Sequence, residues 1–192
     1  MKIFKFLLLL ILPISIFSQE QSISADFDGD QIADRVYVDD NSGTVTYELS
    51  SQKFKKIITE DYLDSGEISL KKKKNGFEIG VNQMRAGNSF QFRYEKSNGK
   101  MRLIGMQRYE FGPANNDGSG KSSVNLLTNN YIAEWNHYDL DKSELIKIPS
   151  IKKKMVLPKA YFNDLKNVYS LYLDQDIKYY RSEKKKMQKS KN

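Results

Sequence analysis

Residues 89–106 read Ser-Phe-Gln-Phe-Arg-Tyr-Glu-Lys-Ser-Asn-Gly-Lys-Met-Arg-Leu-Ile-Gly-Met. Apolar and polar residues alternate on both sides of Asn98-Gly99. Phe90, Phe92 and Tyr94 fall on one face of an extended chain, and Gln91, Arg93 and Glu95 on the other. After the turn, Met101, Leu103 and Gly105 alternate with Arg102 and Ile104. Asn-Gly between alternating runs is the strongest short-range hairpin signal. Residues 89–95 and 100–111 therefore predict two antiparallel strands with an aromatic inner face.

The same period of two extends outward from about Val36 to Val156, with turn signals roughly every 8 to 12 residues. Upstream, residues 67–73 and 76–82 predict a second hairpin about Asn75-Gly76. Further strands are predicted at 36–38, 44–49 and 54–58, with a turn over 39–43. Downstream, a polar loop at 112–120 precedes strands at 121–128, 131–138, 144–148 and 152–157. At Pro158 the pattern changes. Tyr161, Phe162, Leu165, Val168, Tyr169 and Tyr172 recur at helical spacing, and a proline in the first turn suits a helix start. The spacing predicts a helix from about Lys159 to Leu173, resuming through Tyr180. The fold class is mainly β: antiparallel strands in one domain, residues 19–181, with the C-terminal helix packed against the sheet.

One segment carries recognisable chemistry. Residues 26–34 read Asp-Phe-Asp-Gly-Asp-Gln-Ile-Ala-Asp, with carboxylates at positions 1, 3, 5 and 9 and glycine at 4. Calcium takes six to eight oxygen ligands, roughly 2.3–2.6 Å away. Asp26, Asp28 and Asp30 on a curled loop would supply them, with the Ile32 carbonyl and Asp34 completing the set. Four carboxylates this close repel one another without a cation. The loop is not an EF-hand, because Gln31 stands at position 6 and Tyr37 at position 12. The residues after Asp34 are β-branched and aromatic, so the loop leads into a strand.

At these residues the chain resembles the FG-GAP and VCBS repeat families, in which D-x-D-G-D-x-x-x-D precedes a strand. The resemblance implies metal ligation by Asp26, Asp28, Asp30, Ile32 and Asp34. Those families build β-propellers from many copies, whereas this chain holds one good copy and is too short for a propeller. Two echoes, Asn115-Asp117-Ser119 and Asp139-Asp141-Ser143, end on Ser123 and Lys147 at position 9 and read as polar turns. Residues 89–106 and 122–128 (Ser-Ser-Val-Asn-Leu-Leu-Thr) also resemble a group of exported bacterial proteins with a single acidic loop. That second resemblance implies export and brings no catalytic residues.

The ends agree with export. Lys2 and Lys5, the apolar run 6–12 and the segment 13–18 have the order of a secretory signal, cleaved after Ser18 or within a few residues of it. An uncleaved membrane anchor is the alternative. No cysteine is present for a lipoprotein anchor or a disulfide. Two of the charges behind the net +7 lie in the signal and a net four in residues 183–192, leaving about +1 on the domain. The excess reads as a basic disordered tail over 182–192, and it excludes a nucleic-acid groove.

Catalytic patterns fail one after another. Gly118-Ser119-Gly120-Lys121-Ser122 lacks the first glycine of a phosphate loop, since Asn115 holds that place. His137 is the only histidine, without a nucleophile elbow or a second zinc ligand, and it alternates as a strand residue. Glu60, Asp61, Asp64 and Glu67 could form a glycosidase pair only if a cleft separated them suitably. Trp135 reads as core or rim. The expectation is a monomeric, non-enzymatic calcium-binding protein, periplasmic or secreted, with an envelope protein or a polysaccharide as partner and no membrane span after cleavage. A small secreted hydrolase acting on carbohydrate or ester substrates is the competing expectation.

Overall fold

The structure is a computed structural model that describes residues 21–39, 42–59 and 66–189. The signal-like segment and Glu60, Asp61 and Asp64 lie outside the described residues. The chain is mainly β. Strands β1 (Ser22–Ala25), β2 (Asp34–Asp39), β3 (Thr44–Leu49) and β4 (Lys55–Ile58) form one antiparallel sheet in that order. A second sheet runs through β5 (Glu67–Lys73), β6 (Gly76–Asn82), β7 (Ala86–Glu95), β8 (Lys100–Glu110), β9 (Gly120–Asn125), β10 (Asn130–Asp139) and β11 (Glu144–Lys147). The eighth member, β12 (Ile151–Lys154), pairs with the first half of β10, on the edge whose second half holds β11.

The predicted hairpins form, with changed turn chemistry. Between β7 and β8 only Gly99 is left-handed, and its N–H donates to Glu95 O. Between β5 and β6 the left-handed residue is Asn75, while Gly76 belongs to the strand. A Cβ on Gly76 would lie 2.0 Å from the Phe92 carbonyl oxygen, so close approach is what requires glycine there.

The inner face of β7 is as read: Phe90 and Phe92 are buried. In β8 the expected phase holds only to Leu103. Phe92 pairs with Leu103 but Gln91 with Gly105, so Ile104 is an extra residue in the ladder. The bulge reverses the alternation. Gly105 turns outward, correcting its expected inward place, and Met106 and Arg108 turn in.

The two sheets share one hydrophobic core. Phe27 meets Phe77 edge-on at 5.7 Å, and Tyr47 meets Phe162 at 4.8 Å. Phe162 lies in a 3-10 turn, residues 162–164, that leads into helix α1 (Leu165–Lys189). The Asp164 carboxylate accepts the Tyr161 N–H at 2.9 Å and helps to close this start. Leu165, Val168, Tyr169, Tyr172 and Asp176 form the buried stripe that packs on the large sheet.

The helix does not stop near residue 180, and residues 182–189 are helical, not a disordered tail. Side-chain contacts explain the extension. Tyr179 Oη donates to the Lys154 carbonyl at 3.0 Å. Glu183 pairs with Lys153 at 3.2 Å and with Lys186 at 2.9 Å. Lys184 reaches Asp117 at 3.8 Å, and Met187 packs against the core. Among the described residues, no helix is long and apolar enough to cross a membrane.

Candidate metal centre

The acidic loop joins β1 to β2. Strand alternation places Asp34, Val36 and Val38 on the inner side of β2, so Asp34 is buried as part of the core-facing row. Phe27 anchors the loop from the other end, buried among aromatic rings between the flanking aspartates. Gly29 and Gln31 both adopt positive φ, 87° and 71°, which curls the backbone around the side chains.

Carboxylate oxygens of Asp26, Asp28 and Asp34 all lie within 4.8 Å of one another. The cluster could hold a metal ion. Asp28 and Asp34 are buried and Asp26 is exposed, so the group opens to solvent on one side. Its internal donors are neutral. Asp34 Oδ2 accepts the Phe27 and Asp28 N–H groups at 2.6 and 3.3 Å. Asp34 Oδ1 accepts Ser50 N–H at 2.8 Å and Ser50 Oγ at 3.1 Å. Asp28 accepts Ser51 Oγ at 2.6 Å, and Asp26 accepts the Gly29 and Gln31 N–H groups at 2.6 and 3.0 Å. Among the described residues, no lysine or arginine forms an ion pair with these three aspartates.

Asp30 stands outside this trio. Its carboxylate accepts Ser50 Oγ at 2.6 Å and Ile32 N–H at 2.8 Å. The Ser50 hydroxyl, then the Ile32 amide, hold the Asp30 carboxyl below its ordinary value. The Ile32 side chain is exposed, as suits a residue offering only its backbone.

Ser50 has one hydroxyl proton and two carboxylate neighbours. That one proton can serve only one of the two carboxylates at a time. The donor set is all oxygen, hard and anionic, which fits a hard divalent cation and not a thiolate- or imidazole-preferring one.

Ser50, Ser51 and Phe27 did not figure in the sequence motif. The serines lie 16 to 23 residues beyond the aspartates they serve, and only the pairing of Arg35 with Glu48 brings them alongside. The other polar candidates resolve as structure. Asp117 accepts Tyr138 N–H at 2.7 Å and lies 3.1 Å from His137 Nδ1. Burial raises the Asp117 carboxyl, but hydrogen bonds from Tyr138 and His137 outweigh it and leave the carboxyl lowered. Ser119 Oγ accepts from Asn136, and among the described residues no serine hydrogen-bonds His137. Trp135 is buried.

Compared with known proteins, the chain matches no family model, no curated protein and no solved structure.

Proposed function

We propose that the loop of residues 26–34 binds calcium, and that the protein is an exported, non-enzymatic envelope or secreted protein stiffened by that ion. The observation that carries the reading is the meeting of Asp26 with the buried Asp28 and Asp34, with no ion pair to any of them among the described residues. Calcium suits a flexible, carboxylate-rich, partly open site better than magnesium, which demands a compact octahedron and keeps its waters. The D-x-D-G-D-x-x-x-D resemblance supports the same ion, with Asp30 and the Ile32 carbonyl joining the trio as the loop tightens.

In this reading calcium ties the loop to β2 and to the end of β3 through Ser50 and Ser51. An ion that binds the folded chain alone adds directly to stability. Export is supported by the order of residues 1–18, and the working surface would recruit an envelope protein or a polysaccharide. The test is thermal unfolding with calcium or chelator, for the protein and for Asp28→Ala/Asp30→Ala. Calcium raises the midpoint of the parent and leaves the double variant unchanged. An equal response from both, or none from the parent, removes the calcium site.

A further inference from the structure

We propose that the C-terminal half of α1 is a docking surface for an acidic polysaccharide. Lys178, Arg181, Lys185 and Lys189 are all exposed and recur at intervals of three and four residues. That spacing makes them one row along the helix, about 16 Å long at the usual rise. Tyr172 and Asp176 lie buried on the opposite side, against the sheet, so the row faces outward.

The neighbouring acids are engaged elsewhere. Glu183 holds Lys153 and Lys186, and Asp117 takes Lys184. Among the described residues, none of the four row cations forms an ion pair. Asp174, one turn before Lys178, bounds the row. A cation near a helix C-terminus also offsets the macrodipole, but that effect fades within the last turn, and this row spans about three. Its uncompensated charge complements a linear polyanion.

A bilayer is the weaker fit, because a helix seated on lipid needs an apolar face beside its cations, and here that face is against the sheet. Single-stranded nucleic acid wants free aromatic platforms. Lys153 covers the Tyr179 ring at 4.7 Å, and Lys184 the Tyr180 ring at 5.8 Å. The choice of a polysaccharide rests on the export reading, whereas the row itself does not.

The experiment is fluorescence anisotropy with labelled oligogalacturonate, in chelator so that calcium neither bridges the sugar nor fills the loop. The Lys178→Gln/Arg181→Gln/Lys185→Gln/Lys189→Gln variant is expected to bind on the order of ten-fold more weakly, with a shallower salt dependence. Lys178→Arg/Lys185→Arg/Lys189→Arg keeps parental affinity. A charge-matched variant, glutamine at Lys55, Lys56, Lys72 and Lys74, also binds as the parent does. If the four-residue variant fails to fold, Arg181→Gln/Lys185→Gln reads out the same loss in part. Equal losses in the row and charge-matched variants overturn the proposal. So does an absence of binding by the parent, or tighter binding to duplex DNA or to vesicles of anionic lipid.

Discussion

Asp34 and Asp176 are both buried carboxylates, 0% and 1% exposed, and they are stabilised in opposite ways. Asp176 sits under the sheet with Arg108 Nη1 at 3.0 Å, and Tyr131 Oη also donates to it. The guanidinium stacks over Trp135 at 4.8 Å. Burial, then the nearby Asp176 charge, pushes the Tyr131 hydroxyl far above its ordinary value, so it stays a donor. Asp34 instead receives only amide and hydroxyl hydrogens, with Asp26 and Asp28 close beside it. One site carries its counter-charge within the chain. In the other the hydrogen-bond donors are all neutral, and among the described residues no ion pair reaches Asp34.

The comparison is broken most decisively at Arg108. Arg108→Met leaves Asp176 buried without its cation and is expected to cost about 3–5 kcal/mol by chemical denaturation. Adding Asp176→Leu should recover most of the loss, and a cost near zero for the single change would put the two carboxylates in one class. Next in size is calcium itself. At a hundred-fold excess over Kd it should add about 2.7 kcal/mol to the parent. The same increment should appear in Arg108→Met, because the two sites share no partner. Ser50→Ala removes the hydroxyl shared by Asp30 and Asp34 and should cost about 1 kcal/mol in chelator, measured by the same unfolding.

The smallest effect is at the surface. The Glu95 carboxyl is held below its ordinary value by Lys159 and then Tyr161. Its contribution is present above the unfolded value of 4.5 and fades as the pH falls through the lower folded one. Glu95→Gln should therefore flatten the acid limb of a plot of Tm against pH and leave the neutral region nearly unchanged.

Much of this was legible in the chain. The aromatic alternation of Phe90 and Phe92 and the stripe from Leu165 to Tyr172 gave the sheet and the helix that covers it. Asp26 and Asp28 were legible as neighbours because they lie two apart in one curled loop, and Asp34 because it opens the inward row of β2 that the loop leads into. The bulge at Ile104 was not, because a glycine at 105 fits either face and conceals the change of phase. Strand β1 was missed because Ser22–Ala25 is short and largely polar, and pairing with β2 is what orders it. Arg108 and Asp176 were overlooked for a related reason. Each occupies an inward position in its own element, and only the docking of α1 on β8 brings them together. Long-range pairing likewise hid Ser50 and Ser51.

Gln31 bears on how this acidic loop compares with the loop of an EF-hand. Its φ of 71° lies in the left-handed region, the bend for which an EF-hand reserves a glycine at the same sixth position. Read as letters, residue 31 separates the two kinds of loop. Read as torsion angles, it joins them. The left-handed bend at the sixth position is compatible with a loop that hands on to a strand, and a search pattern written in dihedrals would gather loops that a pattern written in side chains keeps apart.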